Sequence, residues 1–381
     1  GVPDNMAMYA WQQRPAIDTL MNQYQEDTHA QFGNVRAVKE LSSVANQLGL
    51  KRTLCEVYGA GGWDLRFEDM KRIGDWLSVL GVNTLNQHLS YVTIRGARKR
   101  DHPQSFSYHE PWWDAYHISA GYFARLSAAL SQGEQVNRVL VLEPTTTAWM
   151  YQGNDTRLKE LGEAFAKFVS ELEAAHIEYD LGCEDILARH GSVANRELVV
   201  GQRRYHTVVL PPTVNPATPV PPPDGINLNR ATRSLLRDFT AAGGTMLNCG
   251  GYPEYTDGKR VASSDNEDAL AEASSSWRRI LPADVLKRLQ KTAANDGFSL
   301  QRAPEDKGLL FHQRRHLDDG ELLFLVNTSL QCASSGTVES RAQGIERWDL
   351  ETGKVGPYEY AASAPGVRAG FELPPCGSLL L

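Results

Sequence analysis

Between residues 35 and 89 the spacing of apolar residues changes repeatedly, and this alternation restricts the fold more than any other feature of the chain. Val35, Val38, Leu41, Val44, Ala45 and Leu48 recur at three-to-four spacing, with Asn34 placed to cap the start and Gly49 to end it, which predicts a helix. Residues 52–59 then read as a short apolar strand that carries one carboxylate, Glu56, and runs into Gly59-Ala60-Gly61-Gly62. A second helix over about 68–80 leads through Gly81 into a strand at Val82–Leu89. Helix, strand, helix, strand is the order of parallel βα units, because parallel strands need a crossover connection. Upstream, Met6–Trp11 reads as one more strand and Ala16–Tyr24 as one more helix.

Residues 92–111 interrupt this order with Arg95, Arg98, Lys99, Arg100, Asp101, His102 and two prolines, and read as an ordered lid or rim because Phe106, Tyr108 and Trp112 accompany them. A long helix is expected from Trp112 to Leu130. At Asn137 the α/β alternation restarts: strand 138–142, helix 156–175, strand 177–181, strand 207–210, helix 229–242 and strand 245–248. That pattern predicts a flavodoxin-like domain over 137–297, crossed by a stiff connection with seven prolines between Pro211 and Pro223. After Asp296 the pattern is strand-like throughout, with a turn at Asp318-Asp319-Gly320, so 298–381 is expected to form a small β-sandwich.

Composition removes several classes. The 381 residues exceed the usual span of one domain. Lys and Arg number 39 against 46 Asp and Glu, a net charge of −7 without a long basic run, so no nucleic-acid partner is expected. No apolar run approaches the roughly 20 residues of a membrane span. Five cysteines without a CxxC pair fit neither a disulfide scaffold nor a structural zinc site. Six of the eight tryptophans lie within the first 150 residues, so any aromatic-lined cleft is expected there. The chain opens at Gly1 with neither Met nor a signal peptide, and a processed, trimmed or partial product is expected.

In parallel α/β domains ligands bind at the carboxyl ends of strands. Glu56 is the foremost candidate there, since an unpaired buried carboxylate is costly: it is either a catalytic acid or base, or the partner of an Arg. Asn86, Gln87 and His88 end the next strand and suit a hydroxyl-rich ligand. His88, His102 and His109 match no zinc spacing. Asp64, Glu68 and Asp69 are open to two readings, charges at a helix N-terminus or oxygen ligands of calcium. Cys249, in Asn248-Cys249-Gly250-Gly251, lacks the order of a nucleophile elbow and reads as structural, which leaves an amidotransferase-like activity without its nucleophile. Gly59–Gly62 matches no phosphate-binding signature.

Residues 53–63, 81–83, 87–91, 98–103 and 108–113, in this order, resemble the bacterial family 106 glycoside hydrolases, the α-L-rhamnosidase group, and the likeness runs through to the C-terminal sandwich. It implies that 1–136 are the C-terminal part of a (β/α)8 catalytic barrel, with Met6–Trp11, Thr53–Tyr58 and Val82–Leu89 as the last three strands. A whole barrel takes about 250 residues, so the chain is expected to be part of a larger enzyme. The resemblance implies cleavage of terminal rhamnose-like sugars from an oligosaccharide, polysaccharide or other glycoside by an inverting acid/base mechanism. Glu56 would be the general base, the general acid would precede Gly1, and Tyr58, Trp63, Gln87, His88, Tyr91, Arg98 and Trp112 would touch the sugar. Calcium is an implied cofactor whose ligands cannot be mapped onto this sequence. A secreted or periplasmic location is expected, and the exposed edges of a partial barrel favour a homo-oligomer. The competing expectation is a non-catalytic carbohydrate-binding fragment that lacks the general acid.

Overall fold

The computed structural model describes residues 3–20, 35–100, 104–214, 225–261, 277–294, 296–364 and 366–381. It is a mixed α/β protein in two compact units, neither of which is continuous in sequence. One unit comprises residues 1–13, 43–50 and 137–290; the other comprises 14–42, 51–136 and 291–381.

The first unit is built on a parallel four-stranded sheet in the spatial order Thr245–Asn248, Thr207–Leu210, Val139–Leu142, Tyr179–Gly182. All four residues are buried in each of three of these strands, as a parallel sheet covered on both faces requires. One buried charge sits among them. Asp180 accepts hydrogen bonds from Asn46 Nδ2 (2.9 Å), Asn137 Nδ2 (2.7 Å) and the Tyr205 hydroxyl (2.9 Å), which repay its desolvation. A three-stranded antiparallel sheet of Gly191–Ala194, Glu197–Val200 and Arg203–Tyr205 joins this unit. The sequence pattern does not announce it: its strands are three or four residues long, and the first turn is made by Asn195 and Arg196, both at positive φ, rather than by glycine.

The second unit starts from three parallel strands, β1 (Ala16–Leu20), β2 (Leu54–Gly59) and β3 (Thr84–Gln87), with β2 in the centre. The described residues form this open sheet and no closed barrel. The unit also holds two four-stranded antiparallel sheets, 299–302/334–340/366–373/361–363 and 378–380/321–327/310–316/134–135. They share one apolar core, with Leu310, Leu323 and Leu325 from one sheet meeting Val338, Phe371 and Leu373 from the other. The Phe67–Val79 helix packs on this sandwich, and Gln313 Nε2 donates to the Ser78 and Val79 carbonyls at 3.2 Å each. Those carbonyls lie in the last turn of the helix, where helical donors run out, and the Ser78 carbonyl also accepts the Gly81 N–H (3.0 Å).

Several expectations change at the N-terminus. Met6–Trp11 is not a strand: Asn5–Tyr9 is a short helix, because Asp4 accepts the Ala7 N–H at 2.9 Å and caps it, burying Met6 and Tyr9 on one side. Ala16–Leu20 is not the start of a helix but strand β1, where β-branched Ile17 and Thr19 favour the extended form; residues 21–24 of that expected helix lie outside the described residues. The strand beside β2 is therefore β1 and not 6–11. Trp112–Leu130 is divided into a 3-10 turn, Trp113–Ala115, and the helix Tyr116–Leu130.

Asp306 secures one edge of the sandwich. Burial pushes its carboxyl up, but hydrogen bonds from Arg302 Nε (2.8 Å), Ser334 Oγ (2.7 Å) and Gly308 N (2.7 Å) outweigh that and bring its pKa down to about 2. A lowered acid stabilises the fold above its unfolded pKa, and the contribution fades as pH falls through the folded value. Asp306→Asn is expected to lower stability by about 2 kcal/mol at pH 7 and by progressively less below pH 4, measured as urea-unfolding midpoints across pH.

Candidate active site

The register of β1, β2 and β3 sets out the site. Asp18, Glu56 and Asn86 are direct partners, so the three side chains stand in one row across neighbouring strands spaced about 4.8 Å apart. Cys55 and Val57, which alternate with Glu56, are fully buried on the other face, where Thr19 Oγ1 meets Cys55 Sγ at 3.3 Å. Glu56 is half-buried, and Asp18 and Asn86 are exposed. Glu56 is thus not the fully buried carboxylate that the apolar run implies. Among the described residues no cation pairs with it, so the Arg-partner reading finds no support. Asp18 escapes a reading that takes 16–24 as helix; recognising Ile17 and Thr19 as strand formers is what would have found it.

Beyond Glu56 the strand deforms. Asp18 pairs with Glu56 but Leu20 pairs with Gly59, so β2 carries an extra residue, a bulge of the kind that re-aims side chains beside sites. Tyr58 takes the strain at φ +68°, and Ala60 follows at φ +57°. The contacts of Tyr58 hold it there: its hydroxyl donates to Met70 O (3.0 Å), its ring stacks on Phe106 with centroids 5.6 Å apart, and Gln104 Nε2 donates to its carbonyl (2.9 Å). At 1% exposure Tyr58 presents no side-chain surface to a sugar, a correction to its expected role.

The other expected contacts separate into two groups. Strand alternation puts Gln87, the partner of Val57, on the face opposite Asn86, so Asn86 shares the Glu56 row and Gln87 does not. His88 is half-buried, and its N–H extends the ladder to Val57 O (2.9 Å). Tyr91, Arg98 and Trp112 belong to the loop that follows β3, and Trp63 to the turn that follows β2. Ser105 Oγ accepts the Tyr91 N–H (3.0 Å), Ser90 Oγ donates to Phe106 O (2.7 Å), and Trp63 Nε1 donates to Lys99 O (2.6 Å). Arg98 is exposed in the 3-10 turn Gly96–Arg100. Trp112 packs 5.6 Å from Phe67, Phe106 and Tyr116. The described residues of this loop, 92–100 and 104–111, are held by these hydrogen bonds and by aromatic packing.

Several of the candidate metal ligands of the sequence are engaged in other contacts. Arg66 holds both carboxylates at the start of the Phe67–Val79 helix, Asp69 through two hydrogen bonds (2.9 and 3.0 Å) and Glu68 at 3.0 Å, which fits helix-terminus charges and not a calcium cage. His109 Nδ1 lies 2.9 Å from Ser107 Oγ and 3.2 Å from Ser105 Oγ, while His102 lies outside the described residues. Among the described residues no three His, Cys, Asp or Glu side chains gather into one cluster. Burial pushes the thiols of Cys55 and Cys249 up to about 12, so neither is a nucleophile at neutral pH.

With this geometry in place, comparison with solved structures places the chain. About 99% of it superposes on a rhamnosidase from Novosphingobium sp. PP1Y, with a TM-score of 0.72 and 20% sequence identity, over 35% of that protein. It also matches a β-galactosidase from Rahnella sp. R3 (TM-score 0.61, 11% identity, 99% of this chain and 61% of that one) and the GH42 β-galactosidase Gan42B (0.57, 11%, 96% and 58%). The fold is similar to that of glycoside hydrolases. The chain spans about a third of the rhamnosidase and less than two thirds of each galactosidase. No family profile and no curated protein matches the sequence. Among the described residues no helix is long and apolar enough to cross a membrane.

Two measurements check this account of the rim. Tyr58→Phe removes one buried hydrogen bond and is expected to cost about 1 kcal/mol in urea unfolding while leaving the half-buried Glu56 untouched. Glu110 is 4% exposed, and burial raises its carboxyl pKa more than the bond from Ser105 N (3.4 Å) lowers it. Its contribution is therefore fully present below the ordinary carboxylate range and lost as pH rises through the raised value. Glu110→Gln should slow amide exchange over 104–110 at pH 7 and have little effect at pH 4.

Proposed function

We propose that this chain carries part of the catalytic region of a glycoside hydrolase of the α-L-rhamnosidase type, which removes terminal rhamnose-like sugars with inversion. The observation that carries the reading is Glu56: a half-exposed carboxylate, free of any cation among the described residues, on the uncovered face of a parallel sheet. In this reading β1, β2 and β3 are the last three strands of a (β/α)8 barrel, the parallel sheet of the other unit is flavodoxin-like, and the uncovered face is the barrel interior. The fold likeness to a rhamnosidase supports the choice of sugar.

Glu56 acts as general base: it takes a proton from a water whose oxygen attacks the anomeric carbon as the bond to the leaving oxygen breaks. A general acid from another strand protonates that oxygen, across the ~6.5–9.5 Å that an inverting pair needs to admit the water. Asp18 stands too close to Glu56 in the ladder for that part. Together with Asn86 it suits hydrogen bonds to sugar hydroxyls, with Trp63, His88, Tyr91, Arg98 and Trp112 along the rim. Glu56→Gln in the longest natural form of the protein should cut turnover of an aryl α-L-rhamnoside by about 100- to 10,000-fold, and unchanged turnover would remove Glu56 from the mechanism. Asp18→Asn should raise KM more than it lowers kcat.

A further inference from the structure

The sandwich carries a second concave site whose lining includes none of the residues placed around Glu56. A cavity of about 480 Å³ opens between residues 347–351 and 372–380, a volume within the usual range of small-ligand sites. Its floor is closed by satisfied polar groups. Lys71 Nζ donates to Asp75 Oδ2 (2.6 Å), Ser378 Oγ (2.9 Å) and Cys376 O (3.1 Å), and the Tyr122 hydroxyl donates to Asp75 Oδ1 (2.8 Å). The rim is different. Among the described residues the side chains of Arg347, Glu351 and Glu372 and the indole N–H of Trp348 make no hydrogen bond.

The rim is nonetheless held in shape. Asp349 Oδ1 accepts the N–H groups of Glu351 (2.9 Å) and Thr352 (3.1 Å), and Arg125 Nη1 ties the turn to the Tyr116–Leu130 helix through Leu350 O (2.9 Å) and Glu351 O (3.1 Å). A second, more open depression over 335–337 and 368–372 shares Tyr358 and Glu372 with the first. Between the two, the Tyr358 hydroxyl is anchored on Gly370 O (2.8 Å). A Cβ at Gly370 would find only Gly336 O, at 3.9 Å, so the surface there is open.

We propose that this groove binds a neutral oligosaccharide of more than one sugar unit. An anionic ligand would face three carboxylates, Asp349, Glu351 and Glu372, and a cationic one Arg347 and Lys71. Sugar hydroxyls are served by both, donating to Glu351 and Glu372 and accepting from Arg347. Trp348 and Tyr358 supply flat apolar faces for the C–H side of a pyranose ring, and the pre-shaped rim limits the entropy lost on binding. Two depressions joined at Tyr358 fit neighbouring units of one chain. The inference does not depend on the role of Glu56.

Calorimetric titration of the full chain with tetrasaccharides of rhamnose and of galactose tests this. Binding of at least one of them is expected, retained in Glu56→Gln and weakened at least tenfold in both Trp348→Ala and Glu351→Gln. Glu351 is an exposed side chain, so its variant reports on binding even if Trp348→Ala unfolds. Hydrolysis of a small aryl glycoside by the longest natural form of the protein should stay at the wild-type level in Trp348→Ala and Glu351→Gln, which keeps the outcome separate from the catalytic reading. No binding to either tetrasaccharide, or undiminished binding in Glu351→Gln, overturns the proposal.

Discussion

The parallel ladder through β2 is the constraint on which the candidate site depends. Its register decides which side chains share a row, and a shift of one residue would turn Glu56 inward and present Cys55 and Val57 to solvent. The buried face fixes that register. Cys55, Val57 and Thr19 occupy a packed interior in which a carboxylate could not be accommodated without a partner. The position of the one acidic side chain in β2 is therefore a by-product of where the apolar ones must go. The bulge that follows, held by the contacts of Tyr58, ends the strand and starts the glycine-rich turn below the rim.

Much of this was legible in the sequence, and the failures have identifiable physical causes. Periodicity located the helix Val35–Leu48, the strand bearing Glu56 and the next βα step, because one face of each is strongly apolar. The composition of 92–111 set that segment apart from the βα pattern before it. The first twenty residues misled because local polar contacts decide them: a cap from Asp4 turns an apolar run into a helix, and pairing to β2 makes a strand of Ala16–Leu20. The error about Tyr58 has a different origin. Strand alternation assigns faces only while the backbone stays extended, and a left-handed residue at the strand end resets the assignment. No sequence period reports such a residue when it is not glycine.

Buried charge recurs as a means of joining elements far apart in sequence. Asp75 draws together Lys71, Tyr122 and, through Ser378, the last strand of the chain, while Asp180 gathers Asn46, Asn137 and Tyr205. Each carboxylate has several donors, the condition under which burying a charge is tolerable, and each lies within one compact unit. Such clusters are sensitive to deletion of a single partner, since the charge that remains has no access to water.

The buried thiols have a practical consequence. Four of the five cysteines, Cys55, Cys183, Cys249 and Cys376, are buried, and burial raises the pKa of each. An alkylating reagent needs an accessible thiolate. Cys332 alone is partly open to solvent, so the native chain already has a natural single attachment point for a spectroscopic probe, at the end of the β-sandwich and outside both proposed sugar sites.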